Sequence, residues 1–283
     1  MPSSRSGASR ASQHLPHVAG ADAALLDRPV LTPTQRENLL TWAEPAATSR
    51  DLDGLVDEHS VPLNATAWRE HLSRVPGLLD AVTETGRVSR RDVNTVAADC
   101  ERAEEWTPLL IASFAWGQGT NGYGPRRLSD IRAHAATQRL DLDKTLAGAV
   151  AAMRAGTAAD AYAHLRGAIR GLGPAFFTKF LYFAGTQVST AEGPAPLILD
   201  AVVAGRVRTV AAARAAAVGI PDPEALCAWL WTPTGWTPHR YAVWLDYAQE
   251  ATHQLATAKT RAFTWPSRTD LFELAVFRGK LIE

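Results

Sequence analysis

Residues 165–185 read LRGAIRGLGPAFFTKFLYFAG and, after a polar loop, residues 196–203 read PLILDAVV. The pattern is a helix, a tight Gly171-Leu172-Gly173-Pro174 turn, a second helix, a loop, and a lone Asp200 that opens a third helix. Two closely spaced glycines between helices let backbone N–H groups approach a phosphate with no Cβ in the way. Pro174 suits the first position of a helix, and the dipole of that helix start favours an anion. A turn of this kind also joins helices that have no further role. Asp200 lies about 27 residues past the turn, behind the apolar lead-in Leu197-Ile198-Leu199. Asp is a favoured helix N-cap, and the N–H groups of a helix start also stabilise a carboxylate that does chemistry.

Charge is unevenly placed around this stretch. From Ala161 to Arg214 the basic residues are Arg166, Arg170, Lys179, Arg206, Arg208 and Arg214, against the acids Glu192 and Asp200. The excess sits where phosphate contacts would be needed. The whole chain of 283 residues has zero net charge, so no global field draws it to nucleic acid. Its 46% apolar content and its length suit one large or two small globular domains. Two cysteines, Cys100 and Cys227, fit neither a metal motif nor a disulfide framework, and eight histidines are scattered. We therefore expect no metal or organic cofactor and a reducing, cytoplasmic setting. No apolar run is long enough for a membrane span.

Nearly every segment reads as helix. Thr34–Ala43 and Asn64–Val75 have helical spacing, with Asn64 a plausible N-cap, and Ser89-Arg90-Arg91-Asp92 has capping-box character and opens a helix through Glu105. Trp106–Trp116 is a near-continuous apolar run that predicts a buried helix, broken by the glycine-rich turn Gly117–Pro125. Helices are expected over 129–138, 142–153, 157–170, 174–184, 200–217, 223–230, 238–256 and 267–277. The expected organisation is a disordered tail over 1–30, an N-terminal helical segment over 31–88, and a main region over 89–283 whose helical hairpin spans 165–184.

A glycine hairpin followed by an acid resembles the helix-hairpin-helix superfamily of DNA glycosylases. Leu-Ile-Leu-Asp followed by a small-residue helix is similar to the catalytic aspartate segment of its adenine and 8-oxoguanine members. The resemblance covers roughly residues 100–250 and implies an all-α, two-lobed fold, with DNA between the lobes and one lobe completed by the chain's ends. It implies Asp200 as a catalytic acid and Gly171, Gly173 and Arg170 as strand contacts. In the usual bifunctional subfamily the nucleophilic lysine lies seven residues before the first hairpin glycine, and here that position is His164. The archaeal 8-oxoguanine glycosylase subclass instead carries its lysine after the hairpin, before an apolar-aromatic run, as in Lys179-Phe180-Leu181-Tyr182-Phe183. A lysine among Phe176, Phe180 and Phe183 is partly desolvated, which favours a nucleophilic amine. The same lysine also fits the wet face of a helix, its stem along apolar neighbours.

Two further groups follow from the resemblance. In similar glycosylases the turn after the buried helix supplies a polar residue that enters the duplex where the base left, which points to Gln118 or Asn121; a plain connector is the other reading. Trp236, Tyr241 and Trp244 resemble the C-terminal helix that lines the base pocket, with Tyr241 where that subclass has an acid. Tryptophans also serve simply as core. The expected function is a DNA glycosylase, with AP-lyase activity, excising an oxidised purine such as 8-oxoguanine from duplex DNA as a nucleoid-associated monomer without a membrane partner. A glycosylase for a modified base of foreign DNA, a non-catalytic helix-hairpin-helix DNA-binding protein, and a helical interaction domain are the alternatives.

Overall fold

Local capping chemistry decides where most helices begin. A computed structural model describes residues 15–119, 122–258 and 263–281. After a short 3₁₀ turn at Leu15–His17 come α1 Val18–Leu26, α2 Pro33–Thr48, α3 Leu52–Asp57, strand β1 Ser60–Pro62, α4 Ala65–Leu72, α5 Pro76–Thr85 and strand β2 Arg87–Ser89. Then follow α6 Arg90–Ala103, α7 Thr107–Gln118, α8 Gly124–Thr137, α9 Leu142–Ala155, α10 Ala158–Leu165 and α11 Pro174–Gly185. The chain closes with α12 Ala201–Ala217, α13 Pro223–Leu230, α14 Pro238–Ala256 and α15 Thr269–Phe277. The fold is all-α, and no helix among the described residues is long and apolar enough to cross a membrane. Among the described residues, one small sheet pairs β1 with β2 antiparallel, Val61 opposite Val88.

The caps follow the sequence. Asn64 accepts from the Ala67 N–H at the start of α4, and Ser89 and Asp92 form a full capping box on α6. Thr157 and Asp160 do the same on α10, satisfying N–H groups that a helix leaves unpaired. α10 stops at Leu165, short of the expected Arg170, because the chain turns over through Gly167 at φ +79°. α7 has no cap of its own. Asp143, from α9, supplies one by accepting from the N–H groups of Trp106 and Thr107 at 2.7 and 2.8 Å.

Two compact units emerge. One is Ala46–Asp200 with Thr237–Ala242; the other joins the described parts of Met1–Pro45, Ala201–Trp236 and Val243–Glu283. The first division falls beside Pro45, a proline inside α2 that forfeits a helix hydrogen bond. The expected boundary at residue 88 lies within the first of these units. Val88 is fully buried and paired with Val61, so the chain there is a strand. Within the expected tail over 1–30, residues 18–26 are helix, with Leu25 fully buried. Arg214 of α12 donates to the carbonyls of Ala24 and Asp27 at 3.2 Å, supplying partners that the end of α1 lacks. Residues 1–14 lie outside the described part.

In the first unit α11 is central and packs on α6, α7 and α10. Phe177, Phe180 and Phe183 are all fully buried. Arg90, also buried, lies 4.9 Å over the Tyr182 ring and 5.2 Å from that of Trp116, tying α6 to α7 and α11. In the second unit α12 packs on α1, α13 and α15.

Candidate active site

The turn between α10 and α11 takes its shape from two anchors and two glycines. Ile169 and Leu172 are buried while Arg170 is exposed. Gly171 sits at φ +88°, and a Cβ there would come 3.2 Å from Ile131. A side chain at this position meets both a disfavoured backbone and a packed neighbour. Gly173 is the N-cap of α11, with Pro174 behind it. Arg127 reaches the turn from α8. It donates to the Gly171 carbonyl at 3.3 Å, and its guanidinium stands 4.6 Å over the ring of Phe176. Phe176 is half-buried and stacks on Phe114 of α7 at 4.4 Å.

Lys179 projects from the second turn of α11. Its side chain is 8% exposed and that of Asp200 17%, with Nζ 3.4 Å from Oδ2 of the carboxylate. Nζ also donates to the Ala175 carbonyl at 2.8 Å, the side chain folding back toward the start of its helix. It lies 5.9 Å from the centre of the Phe176 ring. The wet-face reading of Lys179 is thereby set aside: the amine is withdrawn from solvent and directed at a carboxylate.

Room for the lysine comes from Gly117 in the last turn of α7. A Cβ there would come 2.6 Å from Lys179 Cδ and 3.0 Å from Cε. Gln118, the next residue, ends α7 half-buried. Gly119 follows at φ +55°, and Asn121 lies outside the described residues. His164, where the usual subfamily has its lysine, is exposed on α10, with its ring against Gly148 of α9.

The three expected pocket aromatics are all buried. Trp236 is 2% exposed, and Tyr241 and Trp244 are 0% exposed. A stacking platform needs an open face, and here the faces are spent on packing. Tyr241 stacks on Tyr162 at 4.8 Å and donates its hydroxyl to the Leu197 carbonyl at 2.8 Å. Trp244 packs with Phe272 and Tyr247 within the second unit. Trp236 donates its ring N–H to the Thr232 carbonyl at 2.7 Å. Burial pushes the Tyr162 and Tyr241 hydroxyls far above their ordinary range, so neither serves as an acid or base near neutral pH.

Gly117, Arg127 and Thr178 support the site and are not among the expected site residues. Gly117 had a signal, a glycine at the end of an apolar helix. Arg127 and Thr178 had none, since their partners lie on other elements. α8, which carries Arg127, is held at its start by His71 of α4, whose Nε2–H donates to the Pro125 carbonyl at 2.9 Å. Burial lowers the His71 pKa and keeps the ring neutral.

Residues 54–277 match the family described as "Putative 8-oxoguanine DNA glycosylase OGG-like protein". No curated protein and no solved structure matches the chain. With most of its length matched, the chain belongs to this OGG-like family of DNA glycosylases.

Proposed function

We propose that this OGG-like glycosylase excises an oxidised purine such as 8-oxoguanine from duplex DNA, flipping the nucleotide out of the stack and then nicking the strand. The observation that carries the reading is the 3.4 Å approach of Lys179 Nζ to the Asp200 carboxylate in a largely desolvated setting. One amine beside one carboxylate is a sufficient set for covalent excision. The Lys179 ammonium gives up a proton, and Asp200 stands in place to take it. The amine lone pair then bonds to C1′ as the C1′–N9 bond breaks and the purine leaves with that electron pair. The carboxylate lies beside the sugar as positive charge builds there. Cleavage of the C1′–O4′ bond, with a proton passing from nitrogen to O4′, leaves an imine. Loss of a 2′ proton then expels the 3′ phosphate by β-elimination. These steps need neither metal nor organic cofactor.

Four further expected residues take strand roles in the same reading. Gly171, Gly173 and Arg170 meet phosphates at the exposed turn. Gln118, adjacent to the glycine on which Lys179 packs, enters the gap left by the base.

The test is a duplex carrying 8-oxoguanine opposite cytosine, incubated with the protein and borohydride. Wild type is expected to give a covalent complex and Lys179→Ala none. Asp200→Asn is expected to slow excision by about 10²-fold or more. Base release without trapping would sink the lyase step. No release from this duplex, but release from another modified base, would redirect the reading to foreign DNA. Duplex affinity that falls steeply with salt, unchanged in both variants and without any excision, would leave a binding protein only.

A further inference from the structure

Asp200 is the last residue of a segment that has every physical reason to wander. Residues 194–200 have no regular secondary structure, yet Leu197, Ile198 and Leu199 are 2%, 1% and 0% exposed. Buried peptide groups outside a helix or ladder need partners from elsewhere. Two side chains supply partners at Leu197 and Leu199. The Thr178 hydroxyl, itself fully buried, accepts from the Leu199 N–H at 3.2 Å and lies 3.1 Å from the Leu199 carbonyl. It also lies 2.8 Å from the Pro174 carbonyl on its own helix. The Tyr241 hydroxyl donates to the Leu197 carbonyl at 2.8 Å. At the far end Pro196 sits on Gly185, where a Cβ would collide with its ring.

We infer that Thr178 and Tyr241 are positioning residues that set the Asp200 carboxylate against the Lys179 amine. The connection is short. Thr178 immediately precedes Lys179 on α11, and Leu199 immediately precedes Asp200. One hydroxyl therefore fixes the backbone of the acid relative to the backbone of the amine, with no flexible residue between. Tyr241 prevents the lead-in from pivoting about that point, because it holds the alternate residue, Leu197. Burial excludes water that would compete for either contact. A reacting pair displaced by about 1 Å can lose about 10²-fold in rate, so this clamp sets how often amine and acid meet. Neither residue touches substrate; both act through Asp200.

The inference deepens the excision reading and rests on it for its consequence, but its geometry is testable without DNA. Of the lysines Lys144, Lys179, Lys259 and Lys280, the signal of Lys179 in protein carrying isotope-labelled lysine is identified by its loss in Lys179→Ala. Asp200→Asn should shift that signal in the wild-type background. In Thr178→Val the shift should fall by at least about half, and Thr178→Ser should restore it. Tyr241→Phe, which keeps the stack on Tyr162, should reduce it less. With duplex at saturation, Thr178→Val should lower the imine-trapping rate by about 10- to 100-fold with duplex affinity unchanged. If Thr178→Val and Tyr241→Phe both leave the lysine response to Asp200→Asn intact, the clamp is wrong and the two hydroxyls only stabilise the fold. If Thr178→Val does not fold, Tyr241→Phe alone decides by the same signal. If wild type forms no imine, the excision reading fails while the lysine signal still decides the clamp.

Discussion

The helix around Lys179 and the start of α14 around Tyr241 and Trp244 look alike in sequence: each sets a few polar groups in an apolar, aromatic run. They end in opposite situations. Lys179 is buried and directed at Asp200, whereas Trp244 is buried as packing and Tyr241 is buried with its hydroxyl on the Leu197 carbonyl. The difference lies in what burial demands. A charged amine is not withdrawn from water without a partner, so a lysine inside an aromatic helix points to chemistry or to an ion pair. An aromatic ring gains from burial in any packed site. Its presence near a site says little until its faces are seen.

Four experiments break or sharpen that contrast. Trp244→Ala should cost about 3–5 kcal/mol in a denaturant titration, as expected for a large ring removed from a filled core. A variant of wild-type stability that has lost excision would return Trp244 to the base pocket. Gly117→Ala reverses the pattern: alanine should support α7 slightly better than glycine, by about 0.5–1 kcal/mol, while its Cβ, 2.6 Å from Lys179 Cδ, displaces the amine. The imine-trapping rate should fall by about 10- to 100-fold, and an unchanged rate would show that the lysine reaches its target by another path.

The third experiment concerns the support behind Arg127. The folded pKa of His71 is lowered, chiefly by burial, so the unfolded chain binds the proton more readily. Stability from the neutral ring is complete above the ordinary histidine value of about 6.5 and is lost as pH falls below it. The melting temperature should therefore drop between pH 7.5 and 5.5, and drop less in His71→Gln. An equal drop in both would assign the pH dependence elsewhere. The smallest effect is expected at Cys100, where burial pushes the thiol up to about 11. Alkylation of this thiol in the native protein at pH 7.5 should be negligible, and fast labelling would show that α6 opens.

Legibility followed the range of each interaction. The caps at Asn64, Ser89 and Thr157 were readable because donor and acceptor lie within one turn. α13 and α14 matched their expected spans because proline fixes their starts. Helix α1, inside the expected tail over 1–30, was not legible because this alanine-rich segment is held by contacts such as those from Arg214, far along the chain. β1 and β2 were passed over because three residues are too few for an alternating pattern. At the site, Lys179 and Asp200 stood out as lone charges in apolar settings, while Thr178 resembled an ordinary helix residue. Its partner Leu199 lies on a segment with no pattern at all.

The sequence by itself determined the helical class and the glycine turn at 171–173, and it set Lys179 and Asp200 as an amine and an acid beside apolar runs. These depend on propensity, capping and the cost of burying charge, all of which act locally. Only the tertiary structure decided that amine and acid meet at 3.4 Å, that Gly117 leaves room for the lysine, and that Tyr241 holds the Leu197 carbonyl. Those outcomes depend on where helices far apart in the chain come to rest, and side-chain packing sets that position.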